Sequence, residues 1–351
     1  MVVAASQKPP CDFQVGLAEI VQAKAVDEAH LFGIGSITKI FVAVVVFQLI
    51  EEGKLALTDN VRDHLHADLY YGVDNAETAT IEQLLSHRAG IDSWEDDPRW
   101  LVDARGSRID LPRIWANTET LDYIRRPKIT APDPGTWYYS NTNYTLLGLI
   151  VEKVTNATAQ DEIRQRIFEP LDMQRTFLEG FDDCSGANVA CRYHHVTAKF
   201  REAAGVCPTF PFVQKHLIEA TGSNLSVSWL AGGVISHPAD LVKFAVALRD
   251  GALLNTSPPA LLQSWRPTSI PNHEMGYGIF RQSVPGKGAW LGHSGGVLGF
   301  SAQLWWNEDE DCIVCVLGNA GTVNAGNVPL STTSVIQRSE FLSLALQLTR
   351  C

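Results

Sequence analysis

An apolar segment at residues 40–50, Ile-Phe-Val-Ala-Val-Val-Val-Phe-Gln-Leu-Ile, constrains the fold more than any other part of the sequence. Apolar side chains occur on nearly every side of it, so a helix formed here has to be buried in a core. Its eleven residues are too few to cross a bilayer, so no membrane span is predicted. The helix is predicted to begin at or just before Ser36 and to end at Gly53, because glycine readily adopts the left-handed conformation that closes helices.

Two polar residues, Ser36 and Lys39, stand at the start of this helix. Residues three apart share one face of a helix, so the hydroxyl and the amine are neighbours at its positive end. A free serine is a weak nucleophile and needs a base within hydrogen-bonding reach. A lysine can supply that base where burial or nearby cations lower its pKa. A serine and a lysine three apart also occur by chance, so this pair alone leaves a catalytic and a structural interpretation open.

Composition narrows the class of protein. The chain has 351 residues, 45% of them apolar and 19% charged, which is typical of an ordinary globular protein with two domains or one large one. Acidic residues outnumber basic ones by 39 to 28, and no basic stripe is present, so nucleic acid is not expected as a partner. No signal peptide is visible, so localisation stays open between the cytoplasm and secretion after removal of a leader.

The seven cysteines suggest no metal site. Cys312 and Cys315 fall in an apolar run that is predicted as a strand, where residues three apart point to opposite faces, so a zinc or redox pair is not expected. Cys184, Cys191 and Cys207 lie in a loop-rich stretch and could form one disulfide.

Strands are predicted near both ends of the chain and helices between them. The predicted strands are a hairpin over residues 2–20 with its turn at Lys8–Pro10, and segments 277–280, 289–291, 300–306 and 312–317. The predicted helices lie after the capping box at Thr80–Gln83 and at 111–124, 145–155, 239–249 and 334–349; 164–180 is predicted as a helix and a turn, and 182–221 as irregular. This order predicts one sheet built from both termini, with the middle of the chain forming a helical insertion.

A second polar cluster follows the turn at Pro132–Gly135, where Tyr139 and Asn141 are two residues apart. On a helix their side chains would diverge by about 200°. In an extended or looped segment they can face one site, where a phenol can relay a proton and an amide can bind a carbonyl or a lysine. A surface loop is the alternative interpretation of this cluster taken alone.

A third cluster, residues 291–300, is rich in glycine and contains His293, which is predicted to end a strand. Glycine in such a place lets a ligand or another backbone come close. The segment 292–296 also matches the G-x-S-x-G pattern with Ser294 as nucleophile, but that pattern requires a later histidine and a following helix. No histidine follows His293, so Ser294 is rejected as a nucleophile.

Together the clusters resemble the serine β-lactamase and DD-peptidase superfamily, in the subgroup of class C β-lactamases, Y-x-N and H-x-G DD-peptidases, D-aminopeptidases and related esterases. The motifs that carry the resemblance are, in chain order, Ser36-x-x-Lys39, Tyr139-Ser140-Asn141 and His293-Ser294-Gly295. Segments 32–39, 84–91 and 231–236 also match habitual stretches of the superfamily.

The resemblance implies an α+β fold of the β-lactamase and transpeptidase type, with an antiparallel sheet flanked by helices. Residues 1–65 and 230–351 are expected to form the sheet domain, and 66–229 a mainly helical domain, with the active site between them. It implies that Ser36 is the acylated nucleophile and that Lys39 and Tyr139 share general-base and proton-relay work. No metal and no cofactor are implied.

The resemblance also assigns the binding groups. Asn141 is expected to bind Lys39 and the substrate amide, and His293 stands where many members have the lysine of K-T-G. Ser294, Gly295 and Gly296 are expected to contact substrate. The backbone N–H groups of Ser36 and Gly296 would form the oxyanion hole.

Two departures limit what the resemblance implies about substrate. His293 in place of lysine removes a permanent cation that would hold a substrate carboxylate, so strong penicillin hydrolysis is not expected. No E-x-x-L-N stretch is present, so Lys39 or Tyr139 would have to activate the deacylating water. The expected function is that of a serine hydrolase acting on an ester or amide of a small molecule or peptide. An acyltransferase using the same acyl-enzyme and a non-catalytic binding homologue are the alternatives.

Four other histidines are interpreted as structural or exposed rather than as ligands, because no metal-binding spacing surrounds them. These are His87, His194, His195 and His237.

Overall fold

A large antiparallel sheet holds the two ends of the chain together in the computed structural model, which describes residues 1–5, 8–125, 132–255, 264–328 and 339–350. Its eight strands, in spatial order, are β11 (Arg266–Pro267), β12 (His273–Met275), β13 (Phe280–Val284), β14 (Gly288–Val297), β15 (Phe300–Asn307), β16 (Ile313–Gly318), β1 (Val2–Ala5) and β2 (Lys8–Asp12). Because β1 pairs with β16, the prediction of one sheet built from both termini is confirmed.

Short strands form three further small sheets. They are β5 (Phe32–Gly33) with β10 (Val234–Ser236) and β6 (Phe177–Leu178); β17 (Ala320–Gly321) with β7 (Tyr193–His195), β9 (Leu217–Glu219) and β8 (Phe212–Gln214); and β3 (Leu17–Glu19) with β4 (Lys24–Ala25).

The described helices are mostly short, and three of them exceed eleven residues in the first 255 positions. They are α1 (Thr38–Glu51), α2 (Val61–His64), α3 (Ala67–Tyr70), α4 (Ile81–Leu85), α5 (Pro98–Ala104), α6 (Asn141–Thr155), α7 (Ala159–Ile163), α8 (Ala198–Ala204), α9 (Trp229–Gly232), α10 (Pro238–Arg249) and a last helix, Ser339–Arg350. None of these described helices combines the length and the apolar character needed to cross a membrane.

The apolar helix forms as predicted. A single 3-10 turn, Gly35–Ile37, carries Ser36 and leads directly into α1, whose side chains from Thr38 to Phe47 are all buried. At the other end, Gly53 has a φ of +71° and its N–H bonds to the carbonyl of Ile50, while the next N–H bonds to the carbonyl of Leu49. These two bonds are a Schellman closure, which satisfies carbonyls that the helix end leaves unpaired.

The large sheet is covered on both faces. On one face α1 and α10 contribute to a core in which Phe41 stacks on Phe244 with ring centroids 3.9 Å apart. On the other face the last helix packs Leu342 and Leu346 against strand residues. Cys312 lies in the second core and Cys315 in the first, so the prediction that these thiols point to opposite faces is confirmed.

Several predictions of secondary-structure elements were wrong in type or in length. The predicted turn at Lys8–Pro10 is part of β2, because prolines are tolerated on an edge strand and β2 is the edge of the sheet. The predicted helix over 111–124 is reduced to a 3-10 turn at Glu119–Tyr123. The helix predicted within 164–180 is a π turn, Arg164–Phe168, that continues α7, followed by β6.

The stretch predicted as irregular, 182–221, contains α8 and three short strands, β7 to β9. Their sheet is completed by β17, from a part of the chain more than a hundred residues away. The disulfide considered among Cys184, Cys191 and Cys207 is not formed, since all three thiols are free. The predicted start of the last helix, 334–338, lies outside the described residues. The division into a sheet domain and a helical domain stays a prediction.

Candidate active site

The 3-10 turn at the start of α1 places the Ser36 hydroxyl beside a buried amine. Lys39 has no exposed surface, and its Nζ donates to Ser36 Oγ at 3.0 Å. The same Nζ donates to Asn141 Oδ1 at 2.7 Å and to the carbonyl of Ala231 at 2.5 Å. Three acceptors therefore surround the three N–H positions of an ammonium.

Burial lowers the pKa of the Lys39 amine from its ordinary value to about 7, and the carboxylate of Glu95 opposes part of this shift. A substantial share of the amine is therefore neutral near pH 7. A neutral amine has two N–H groups and one lone pair. If the N–H groups stay on Asn141 and Ala231, the lone pair faces Ser36 and can accept its proton.

Tyr139 and Asn141 reach the site because the chain is extended just before α6. Ser140 has φ −131° and ψ 121°, and Asn141 is the first residue of the helix. The extended geometry lets the two side chains face one site, as the sequence predicted. The helix begins four residues earlier than predicted, so Asn141 is fixed by its own backbone N–H, which donates to Ser93 Oγ at 3.1 Å.

The phenol of Tyr139 is buried beside Ser36 and Lys39. Burial raises the pKa of Tyr139 well above its ordinary value, although the neighbouring Ser36 side chain opposes the shift. Lys39 Nζ lies 5.0 Å from the centre of the phenol ring. Tyr139 therefore stays protonated and can donate a hydrogen bond or pass on a proton, while a resting phenolate is disfavoured.

His87 holds the segment that carries Tyr139. Its carbonyl accepts from the N–H of Tyr138 at 2.8 Å, its Nδ1 accepts from the N–H of Ser140 at 3.1 Å, and its ring stacks on Tyr139 with centroids 4.2 Å apart. His87 is fully buried and has a φ of +56°. Burial, with Lys39 and His293 nearby, holds the pKa of His87 well below its usual range, so the ring is neutral. The sequence interpretation of His87 as structural did not foresee this contact with the site.

His293 lies across the site from Tyr139, with ring centroids 6.0 Å apart. Burial, reinforced by Lys39, lowers the pKa of His293 to about 3. Its Nδ1 contacts the carbonyl of Ser294, which can only accept, so Nδ1 carries the proton of the neutral ring. Nε2 is then an acceptor, and it is buried with no hydrogen-bond partner among the residues the structure describes.

The third motif lies inside β14 and not at its end. The strand was predicted to stop near Leu291 with His293 at its end, but it runs to Val297 and pairs with β15 from Trp290 onward. Ser294 is therefore within a strand, which agrees with its rejection as a nucleophile in a strand-turn-helix elbow. Only the main-chain carbonyl of Ser294 contacts His293, so a substrate contact of its side chain stays a prediction.

Glycines let β14 touch the turn that carries Ser36. A Cβ on Gly295 would lie 1.8 Å from the carbonyl oxygen of Ile34, and a Cβ on Gly35 would lie 2.5 Å from the nitrogen of Gly296. Gly35 also has a φ of +51°. The backbone of Ser36 and that of Gly296 therefore lie side by side, which is the juxtaposition that an oxyanion hole needs. The role of these N–H groups stays a prediction.

No sequence motif indicated Glu95, the carboxylate that contacts Asn141. Glu95 lies in the 3-10 turn Trp94–Asp96, and it accepts hydrogen bonds from Asn141 Nδ2 and from Arg105 Nη1. The structure thus brings the four predicted catalytic residues and Asn141 into one cluster. Glu95 adds a charge to this cluster.

Comparisons with known proteins agree with this arrangement. The family model described as Beta-lactamase matches residues 2–330. Penicillin-binding protein 4* of Bacillus subtilis is 27% identical over 295 residues, covering 82% of this chain and 60% of that protein. An unguisins hydrolase of Aspergillus campestris is 26% identical over 303 residues, covering 82% of this chain and 52% of that protein. The chain thus spans between about half and three fifths of the length of these two relatives.

A solved structure gives the same result at the level of the fold. The D-stereospecific amidohydrolase from Streptomyces superposes with a TM-score of 0.76 at 25% identity, covering 91% of this chain and 88% of that one. The residues matched by the family model include all eight strands of the large sheet. This match, together with the fold and the clustered motifs, establishes that the chain belongs to the β-lactamase family.

Proposed function

We propose that this chain is a serine hydrolase that forms an acyl-enzyme on Ser36 and hydrolyses an ester or amide of a small molecule or a peptide. The observation that carries the proposal is the buried Lys39 amine 3.0 Å from the Ser36 hydroxyl. A serine needs a base at this distance to attack a carbonyl, and the burial of Lys39 makes its amine available as that base.

Acylation follows from the hydrogen bonds of Lys39. The neutral amine takes the proton of Ser36 as Oγ attacks the substrate carbonyl, and the resulting ammonium keeps Asn141 and Ala231 as acceptors. The charge that develops on the carbonyl oxygen would be received by the backbone N–H groups of Ser36 and Gly296. One such donor lowers the barrier of a comparable hydrolase by roughly 3 kcal/mol.

The leaving group then needs a proton. Tyr139 is protonated and adjacent to Ser36, so it can pass a proton from the Lys39 ammonium to the departing oxygen or nitrogen. This transfer leaves an ester on Ser36 and a neutral Lys39. In the second half of the reaction the neutral amine takes a proton from water, the hydroxide attacks the ester, and Ser36 regains its proton as the acid departs.

The neutral state of His293 supports a substrate without a carboxylate at the third motif. A neutral imidazole offers one acceptor, Nε2, and no positive charge. A carboxylate placed there would lose its hydration with no cation to replace it. We therefore favour amides and esters that present an N–H or O–H donor, or an apolar group, to His293. The names of two relatives, an amidohydrolase and a hydrolase, support hydrolysis as the outcome.

Intact-mass spectrometry with a p-nitrophenyl ester, a D-aminoacyl amide and a fluorophosphonate tests the proposal. Wild-type protein is expected to gain one adduct and to turn over at least one ester or amide. Ser36→Ala, which keeps the turn and its backbone N–H groups, is expected to form no adduct and to retain less than about a hundredth of the activity. Labelling or turnover that survives in a folded Ser36→Ala variant contradicts the assignment.

The same assay separates the alternatives. Addition of an alcohol or amine acceptor diverts the acyl group into a transfer product if the chain is an acyltransferase, and the yield of free acid then falls. A protein that binds these probes reversibly and never gains an adduct is a non-catalytic relative, and this result contradicts the proposed function.

A further inference from the structure

We propose that Glu95 is a positioning residue of this active site: its carboxylate, itself held by Arg105, fixes the side-chain amide of Asn141 with the oxygen toward Lys39. The inference rests on the proposed function and adds to it a residue from outside the three sequence motifs.

The orientation of the Asn141 amide is set by two groups of opposite charge. Lys39 Nζ lies 2.7 Å from Asn141 Oδ1, and an ammonium can only donate, so the amide oxygen has to face it. The carboxylate of Glu95 can only accept, so the amide nitrogen has to face Glu95. A flipped amide would place its N–H groups against the Lys39 ammonium, donor against donor, and its oxygen against the Glu95 carboxylate, acceptor against acceptor. Glu95 and Lys39 therefore select one orientation.

Glu95 is itself immobilised. One carboxylate oxygen binds Asn141, and the other accepts from Nη1 of Arg105, whose side chain is 4% exposed. Arg105 Nη1 also donates to Asn324 Oδ1 at 2.5 Å, and its guanidinium lies 4.8 Å from the centre of the Trp100 ring. Both oxygens of Glu95 are thus engaged, so the carboxylate acts as a support and not as a second base.

The same contact leaves the amide useful to a substrate. An asparagine amide has two N–H groups, and Glu95 takes one of them. The second remains for the carbonyl of a bound amide or ester. Loss of Glu95 would let the amide rotate, which removes a hydrogen bond from Lys39 and from the substrate together.

The charge of Glu95 also acts on Lys39, because it favours the ammonium against the effect of burial. Titratable groups and hydroxyls face the Lys39 amine from every surrounding element. They are Ser36 on the same turn, Glu95 on the Trp94–Asp96 turn, Tyr139 and Tyr144 around the start of α6, His87 after α4 and His293 on β14. Glu95 is the one carboxylate in this set.

Two substitutions distinguish the effect of the side-chain length of Glu95 from the effect of its charge. Glu95→Asp keeps a charge for Arg105 and shortens the side chain by one methylene, so it no longer reaches Asn141. We expect kcat/KM to fall about tenfold, with the acid limb of its pH profile close to that of wild type. Glu95→Gln keeps the length and removes the charge, so we expect the acid limb to move to lower pH, because Lys39 loses its nearby anion.

A double-mutant cycle shows whether Glu95 acts through Asn141. Single-turnover acylation by a p-nitrophenyl ester is measured for Glu95→Asp alone, Asn141→Ala alone and the pair. We expect Glu95→Asp to cost less than about twofold when Asn141 is already alanine, because there is no amide left to orient. A full tenfold loss in the Asn141→Ala background overturns the proposal, since Glu95 would then act independently of the amide.

Control experiments distinguish failure of this inference from loss of folding and from failure of the proposed function. Asp103→Asn removes a carboxylate that pairs with Arg108 and accepts from the Tyr123 hydroxyl, neither of which belongs to the catalytic cluster, and it is expected to leave activity and the pH profile unchanged. Thermal unfolding of each variant shows whether it is folded. Glu95→Gln removes the ion-pair partner of the buried Arg105, so Glu95→Asp is used alone if Glu95→Gln does not fold. Wild-type acylation rates in a folded Glu95→Asp overturn the proposal. Adduct formation that does not require Ser36 contradicts the proposed function instead.

Discussion

The buried amine of Lys39 determines the chemistry available to this site at the scale of single residues. A lysine at an exposed helix start would be fully protonated at neutral pH and could not take a proton from serine. Here burial lowers its pKa to about 7, while neighbouring Tyr139 is held protonated and His293 is held neutral. One group of the cluster therefore titrates near neutral pH, and it is the one that contacts the nucleophile.

The lowered pKa of Lys39 predicts the pH dependence of the reaction. Because the neutral amine is the active form, kcat/KM is expected to rise with pH along an acid limb with its midpoint near 7. The measurement is kcat/KM for a neutral ester between pH 4 and about 9. Lys39→Arg is expected to be inactive, since a guanidinium stays protonated, whereas Lys153→Arg at an exposed position is its matched control. An acid limb with its midpoint near that of a carboxylic acid would indicate a different base.

The sequence predicted the catalytic residues because their spacing is local within each motif. Ser36 and Lys39 are one turn apart, and Tyr139 and Asn141 are two residues apart in an extended segment. Glu95 could not be predicted in this way. It contacts Asn141 across 46 positions, and it stands between Trp94 and two further acidic residues, Asp96 and Asp97, with no recognisable pattern.

At the scale of secondary structure, the side of the site formed by the sheet depends on the glycines of β14. His293 was predicted to end a strand, and the glycines around it were predicted to let a ligand or another backbone come close. In the structure these glycines extend β14, and their missing side chains allow contact with the turn at Ile34–Ser36. The pattern indicated a close approach correctly. It could not tell which backbone approaches, because that partner lies more than 250 residues earlier in the chain.

The loop after α4 forms the other side of the site, and substitution of its residue His87 tests whether this loop supports Tyr139. His87→Asn keeps a residue that tolerates the left-handed backbone at this position, but it is too short to stack on Tyr139. We expect kcat to fall about tenfold in a protein that still folds, because Tyr139 loses its support.

Steady-state kinetics and thermal unfolding of the His87→Asn variant check this expectation. His66→Asn is the matched control, since His66 immediately precedes α3, its side chain is exposed, and it pairs with Asp68 and not with a catalytic residue. A folded His87→Asn protein with the kcat of wild type would show that the stacked ring does not support the phenol.

At the scale of the whole molecule, the sheet shared by both termini followed from the order of strand-like and helix-like segments, and the α+β class followed from the resemblance to the β-lactamase and DD-peptidase superfamily. The small sheet of β17, β7, β9 and β8 did not, because each of its strands is two or three residues long. Such strands are stabilised by their partners and not by their own periodicity. A region with few local signals was therefore predicted as irregular although its pairing is defined.

The free thiols of this region give a prediction for the molecule as a whole. Cys184, Cys191 and Cys207 are unpaired, and burial raises the pKa of the Cys184 thiol to about 11. We expect iodoacetamide to alkylate all three thiols in denatured protein without reductant as completely as after reduction. Peptide mapping by mass spectrometry measures this, and a disulfide-linked peptide between any two of them contradicts it. In the folded protein at pH 8, Cys184 is expected to react slowly, since the thiolate is the reactive form.

The prolines of β2 have a consequence for how copies of this molecule meet. The outer strand of a sheet offers unpaired N–H and C=O groups to any extended chain that comes near, and such rows promote aggregation. Pro9 and Pro10 have no backbone N–H, and they lie where the pairing of β2 with β1 shifts by one residue, so this part of β2 offers an incoming strand no N–H donor. This border of the sheet is thereby protected against edge-to-edge growth.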